Sequence, residues 1–208
     1  MISMNEAKLL ISQNITLTTS AMMRLEDAAG MVLAEDVVSA IDVPTFDNSA
    51  MDGFAFRYSD SVQTPAVLSI KQTLQAGTEE QLVHIETGQA TRIMTGAPIP
   101  NGADAVLPIE RCSISDDGTE VTLHEEGKKH FIRKQGENLK RGQTALPKGT
   151  LFSPSSVGLC ATMGHASAEV FKKATIGILP TGDELQLPGE ELSENSIYES
   201  NSFGLSSL

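Results

Sequence analysis

At 208 residues the chain is long enough to bury a sizeable core as one large or two small domains, and its 40% apolar and 20% charged residues mark a globular composition. A formal net charge of −12 repels phosphate backbones and anionic bilayers, which argues against nucleic acid or membrane partners. The two cysteines, Cys112 and Cys160, form no Cys-x-x-Cys pair, the N-terminus carries no secretory pattern, and no apolar run could span a bilayer, so a soluble cytoplasmic protein is expected.

In chain order, residues 3 to 13 place Ala7, Leu10 and Ile11 on one helical face, with Ser3 as N-cap and Glu6 three residues later. A second short helix is predicted from Met23 to Ala29, stopped by Gly30. "MVLAEDVVSAIDVP" reads as extended up to Pro44. From Asp52 to Lys134 short strands prevail: "GFAFRY" alternates, and "AVLSIKQTL", "DAVLPIE" and "EVTLHE" follow between turn signals, with Asp117-Gly118 as a hairpin turn. "SPSSVGLCATMG" carries the marks of a helix, with Ser153 at N-cap, Pro154 at N1 and Gly164 past its end. "AEVFKK" is a predicted strand. "ATIGILPTGDEL" reads as an apolar strand of a parallel sheet, whose βαβ unit the sequence leaves incomplete. There is no internal repeat and no low-complexity tract.

Four stretches could carry chemistry. In "VPTFDNSAMDGFAFR", Asp52 could bind Mg²⁺ through one oxygen, while the competing account is an Asx-turn that starts a strand, with Gly53 freeing the chain to turn. In "IMTGAPIPNGAD", Thr95 and Gly96 offer a hydroxyl and an accessible N–H to an oxyanion, against a proline-stiffened connection. In "LPTGDEL", Thr181 and Gly182 stand where open α/β sheets bind ligands. Asp183 and Glu184 there hold a metal or a hydroxyl, or else open a helix. "FIRKQGENLKRGQ" gathers Arg133, Lys134, Lys140 and Arg141 into a basic patch that either steers an anion or pairs with surface carboxylates. The four histidines are scattered without ligand spacing.

Taken together, "VPTFDNSAMDGFAFR", "TGQATRIMTGAPIPNGADAVLPIE", "RKQGENLKRGQ", "SPSSVGLCATMG" and "IGILPTGDEL…IYESNSFGL" resemble, in this order, the molybdopterin molybdenumtransferase family, which includes MoeA and the gephyrin E-domain. The resemblance runs from about Leu17 onward. It implies a mixed α and β multidomain fold. An elongated α+β domain would comprise 21–45 plus 138–172, a β-rich inserted domain 46–137, and an incomplete α/β domain 1–20 plus 173–208. The implied activity is Mg²⁺-dependent insertion of molybdate into adenylylated molybdopterin with release of AMP, in a homodimer whose cleft lies between subunits. The resemblance makes Asp52, Thr95 and Glu184 catalytic, with Asp52 also the metal ligand. It assigns Ser49, Arg133, Thr181, Gly182 and Asp183 to cofactor binding. Asn138 stands where many family members carry Asp, and it can accept a hydrogen bond but cannot supply charge. Because the family continues beyond the point where this sequence stops, the 208 residues alone are expected to be inactive. The alternative is a gephyrin-like scaffold that binds a partner peptide.

Overall fold

A computed structural model of the chain describes residues 2–78 and 82–208. The chain divides into two compact units, one of Met1–Thr19 with Phe171–Leu208 and one of Ser20–Val170. The first opens with helix α1 (Met4–Asn14), whose capping box forms as expected: Glu6 N–H donates to Ser3 Oγ at 3.2 Å and Ser3 N–H to Glu6 Oε2 at 2.7 Å. None of its residues is buried.

The unit Ser20–Val170 begins with β1 (Ser20–Arg24) and the single turn α2 (Leu25–Ala28). The helix predicted over Met23–Ala29 is thus shorter, because Met23 and Arg24 belong to a strand and ladder pairing outweighs local propensity. Gly30 does close the turn at φ 80°. Strands β2 (Val32–Leu33) and β3 (Val37–Val38) follow, then β4 (Asn48–Ser49), β5 (Gly53–Phe56), β6 (Ala66–Leu74), β7 (Gln89–Ile93), β8 (Ala105–Pro108), β9 (Cys112–Ile114), β10 (Glu120–Leu123), β11 (Ile132–Arg133) and β12 (Thr144–Leu146). Helix α3 (Pro154–Thr162) has the predicted caps: Ser153 Oγ accepts from Ser156 N–H at 3.2 Å, and Gly164 stands at φ 83°. Strand β13 (Ser167–Phe171) then pairs between β1 and β2.

Six strands form one mixed sheet in the order β8-β5-β7-β6-β10-β9, with β6 and β7 parallel and every other pair antiparallel. Phe54, Phe56, Leu68, Ala90, Leu107, Val121 and Leu123 share one apolar cluster, whereas Ala55, Leu74, Ile93, Ala97, Val106 and Ile132 form another. "GFAF" was expected to alternate, yet all four residues are buried, because β5 is an inner strand covered on both faces. Each large side chain so buried contributes roughly 1.5–3 kcal/mol. A third cluster gathers Leu25, Leu33, Leu139, Phe152, Met163 and Val170 around α2, α3 and β13.

Gly53 serves close approach rather than turning. It is absent from the positive-φ glycines, and a Cβ there would lie 2.1 Å from the Leu107 carbonyl oxygen of β8. The β9–β10 hairpin turns around Asp117, whose Oδ1 accepts from Ser115 Oγ at 2.7 Å, Thr119 Oγ1 at 2.8 Å and Thr119 N–H at 3.1 Å.

The remaining residues hold β14 (Leu185–Gln186), β15 (Ile197–Tyr198) and α4 (Asn201–Ser206). The buried parallel strand expected over "ATIGILPTGDEL" is not formed: Ile176 is 82% and Leu179 86% exposed, and in this stretch the parallel pairing among the described residues is that of β14 with β15. Such a strand needs neighbours on both edges and cover on both faces, and none of the described residues supplies them.

Candidate functional site

Asp52 lies on the short connection between β4 and β5, exposed at one end of the six-stranded sheet. Its loop is braced from two sides. Gly96 N–H donates to the Ser49 carbonyl at 2.8 Å, and Ser49 N–H donates to the Ala97 carbonyl at 3.0 Å. Ala50 N–H donates to the Phe131 carbonyl at 2.8 Å, and Ile109 N–H to the Asp52 carbonyl at 3.0 Å.

The Asp52 carboxylate is then fixed by Thr95. Oδ1 accepts the Thr95 backbone N–H and the Thr95 hydroxyl, each at 2.7 Å. These two bonds, the N–H first and the hydroxyl second, hold the carboxyl below its usual pKa of 3.8. Oδ2 has no protein partner among the described residues, so one charged oxygen faces outward on an anchored side chain. Two residues singled out from the sequence, far apart in the chain, are therefore in direct contact. The Asx-turn reading of Asp52 is overturned, since its acceptor bonds come from the β7 side and not from its own loop.

Ser49 plays a different part. It is buried, its hydroxyl donates to the Met51 carbonyl at 2.7 Å, and it accepts from Met51 N–H at 3.3 Å. That hydroxyl shapes the loop carrying Asp52 and is not presented to solvent. Arg133 lies on β11 across from Asn48, and its Nε donates to Glu137 Oε1 at 2.8 Å. Arg133, and after it the Lys134 N–H, keep the Glu137 carboxyl below its ordinary pKa. Lys134 Nζ meets Asp47 Oδ2 at 2.7 Å. This half of the basic patch therefore pairs with surface carboxylates. Asn138 donates its backbone N–H to Val43 at 3.0 Å.

Thr181, Gly182, Asp183 and Glu184 are exposed and belong to the unit Met1–Thr19 with Phe171–Leu208. No helix starts at Asp183-Glu184; Leu185 N–H donates to the Gly182 carbonyl at 3.1 Å in a turn, and Glu184 accepts from Ile197 N–H at 2.8 Å through its carbonyl. Gly182, at φ 154°, leaves room for the Glu184 carboxylate, whose Oε2 would lie 2.7 Å from a Cβ there.

Arg92 is a residue the sequence reading passed over. It sits on β7 directly across from Phe54 and so shares its face, and its Nε is buried without a hydrogen-bond partner among the described residues. An unsatisfied buried donor is rare enough to call for a reason. An arginine inside the apolar run "QATRIM", three residues before Thr95, was the available signal.

Among the described residues no group of three or more His, Cys, Asp or Glu side chains could hold a metal ion. The exposed carboxylate of Asp52 is of the hard oxygen type that Mg²⁺ takes, and it would supply a single protein ligand. No helix among the described residues is long and apolar enough to cross a membrane.

The six-stranded mixed sheet thus carries an anchored, exposed carboxylate on its rim. Comparison with known proteins gives the chain a family. The model of the MoeA N-terminal region (domain I and II) matches residues 2–164, and the chain belongs to that family. It is 41% identical over 187 residues to molybdopterin molybdenumtransferase of Haemophilus influenzae, covering 89% of this chain and 46% of that protein. It is 36% identical over 207 residues to molybdopterin molybdenumtransferase 2 of Mycobacterium tuberculosis, covering 98% of this chain and 51% of that protein. The crystal structure of the molybdopterin biosynthesis moeA protein from Pyrococcus horikoshii OT3 superposes with a TM-score of 0.88 at 34% identity, covering 98% of this chain and 55% of that one. The chain thus spans about half the length of the curated relatives it matches.

Proposed function

We propose that this chain is the part of a molybdopterin molybdenumtransferase that presents Asp52 to the substrate, in a homodimeric enzyme that inserts molybdate into adenylylated molybdopterin and releases AMP. The observation that carries the reading is the Asp52–Thr95 pair, with both bonds at 2.7 Å and one carboxylate oxygen left open at the sheet rim. Thr95 orients the carboxylate and lowers its pKa. Asp52 would hold Mg²⁺, and Ser49 shapes the loop that carries it. When bound, such a cation would supply charge withdrawal from the phosphoanhydride. Within their own unit, Thr181, Gly182 and Asp183 are assigned to cofactor binding and Glu184 to catalysis; in the other unit, Arg133 is assigned to cofactor binding.

The division into domains 21–45 plus 138–172, 46–137 and 1–20 plus 173–208 belongs to the same reading. Its support is the separate apolar clusters of the first two. Activity resides in a chain as long as the relatives, and the 208 residues alone release no AMP. In a full-length chain carrying this region, Asp52→Ala should abolish Mg²⁺-dependent AMP release while the circular dichroism spectrum stays that of the folded parent. Undiminished AMP release from that variant would overturn the role of Asp52.

A further inference from the structure

We propose that the cleft at the opposite end of the six-stranded sheet from Asp52 is a second ligand site, one that takes a small organic phosphate monoester. Strand β5 begins beside Asp52 and ends at Phe56, so the residues that follow it, Arg57 and Tyr58, open on the far end. There they line a cleft of about 710 Å³ with His84, Gly102, Asp104 and Lys129. That volume lies within the range of small-molecule sites, roughly 300–1,000 Å³.

The balance of donors and acceptors selects an anion. Asp104 is the one carboxylate in the lining, and it is already engaged: its Oδ1 accepts from Tyr58 N–H at 2.6 Å and its Oδ2 lies 3.2 Å from Lys129 Nζ. The same ammonium sits 4.7 Å from the centroid of the Tyr58 ring, so ring and carboxylate fix its position. An ammonium has three donors and a guanidinium five. Lys129 commits one to Asp104, and Arg57 commits one, from Nη1 to Thr87 Oγ1 at 3.2 Å. Arg57 and Lys129 thus bring two cations to the lining of a cleft whose single carboxylate is already bonded, on a chain of net charge −12. A phosphate offers several acceptor oxygens to a fork and a point charge together. The walls are preset, because Gly102 packs so close that a Cβ would stand 2.2 Å from the Ile85 carbonyl oxygen and 3.2 Å from His84 Cε1. A cleft of about 710 Å³ is larger than a phosphate group alone requires, and His84 is among its lining residues.

The site is independent of the reading at Asp52, and its test leaves that residue untouched. The ¹⁵N-labelled 208-residue chain is titrated with ribose 5-phosphate and, separately, with inorganic phosphate, following backbone amides. Saturable shifts are expected at Tyr58, Gly102 and Lys129 with ribose 5-phosphate, and weaker binding at the same amides with phosphate alone. Lys129→Ala and Arg57→Ala should each weaken ribose 5-phosphate binding at least tenfold, and Lys8→Ala should leave it unchanged. Both side chains are exposed, so spectra away from the cleft should match the parent; Lys129→Gln and Arg57→Gln repeat the test should either alanine variant not fold. The proposal is overturned by absent shifts, by shifts centred on Arg133–Arg141 instead, or by equal affinity in the Lys129 and Arg57 variants.

Discussion

The Asp52 pKa is lowered by hydrogen bonds and not by a neighbouring cation, so that lowering should survive salt that screens ion pairs. The two Thr95 donors can be separated. Thr95→Val keeps the backbone N–H and removes the hydroxyl, so the Asp52 pKa should rise from its lowered position yet stay below that of an unbonded aspartate. Carboxyl-detected NMR titration of Asp52 in the two proteins checks this, and an identical midpoint would mean the hydroxyl bond is not made in solution. The linkage has a definite sign. A depressed folded pKa adds stability above the unfolded value near 3.8, and that stability is lost as pH falls through the folded pKa. The valine variant should therefore lose its share at higher pH than the parent.

Strands and helices separate what the sequence could specify from what it could not. Caps are local chemistry, so Ser3, Glu6, Ser153 and Gly164 could be placed from their immediate neighbours. The single turn at Leu25–Ala28 and the full burial of β5 depend on partners distant in the chain, which no short window contains. Gly53 is the sharpest instance, since the atom that demands a glycine is the carbonyl oxygen of Leu107. Gly53→Ala should destabilise the chain by about 2–3 kcal/mol through overpacking at an inner strand. Gly158→Ala, inside α3 with nothing within 4 Å of the new methyl, should instead stabilise by about 0.5–1 kcal/mol. Urea denaturation of the two variants beside the parent measures both. Destabilisation of similar size in each would refute the distinction.

For the whole molecule, every buried apolar residue among those described falls within Ser20–Val170. The unit of Met1–Thr19 with Phe171–Leu208 holds Glu199 as its buried polar residue, with the carboxylate bonded to Ser202 N–H at 2.7 Å. Native-state hydrogen exchange should therefore protect amides of β5, β7 and β8 up to the global unfolding free energy. Those of α1 and of residues 174–198 should exchange through smaller openings. Uniform protection across both units would contradict this. The candidate site was legible in the same uneven way. Asp52 and Thr95 could be named from motif company, but their contact depends on the register of β5 beside β7, which only the folded sheet reveals. Arg92 went unnoticed because a charge on an inner strand looks like an edge position when its neighbours are unknown.

The abutment of the Asp52 loop on β5 also constrains how this region can change in length. Ser49 is pinned on one side and Gly53 on the other, with the carboxylate one residue before a strand buried on both faces. Deleting a single residue between them would turn β5 over, exchanging Phe54 and Phe56 with Ala55 between the two layers and pointing the acid away from Thr95. Insertions and deletions should therefore be far rarer between Ser49 and Gly53 than in the β9–β10 hairpin, where one more residue alters only a solvated bend.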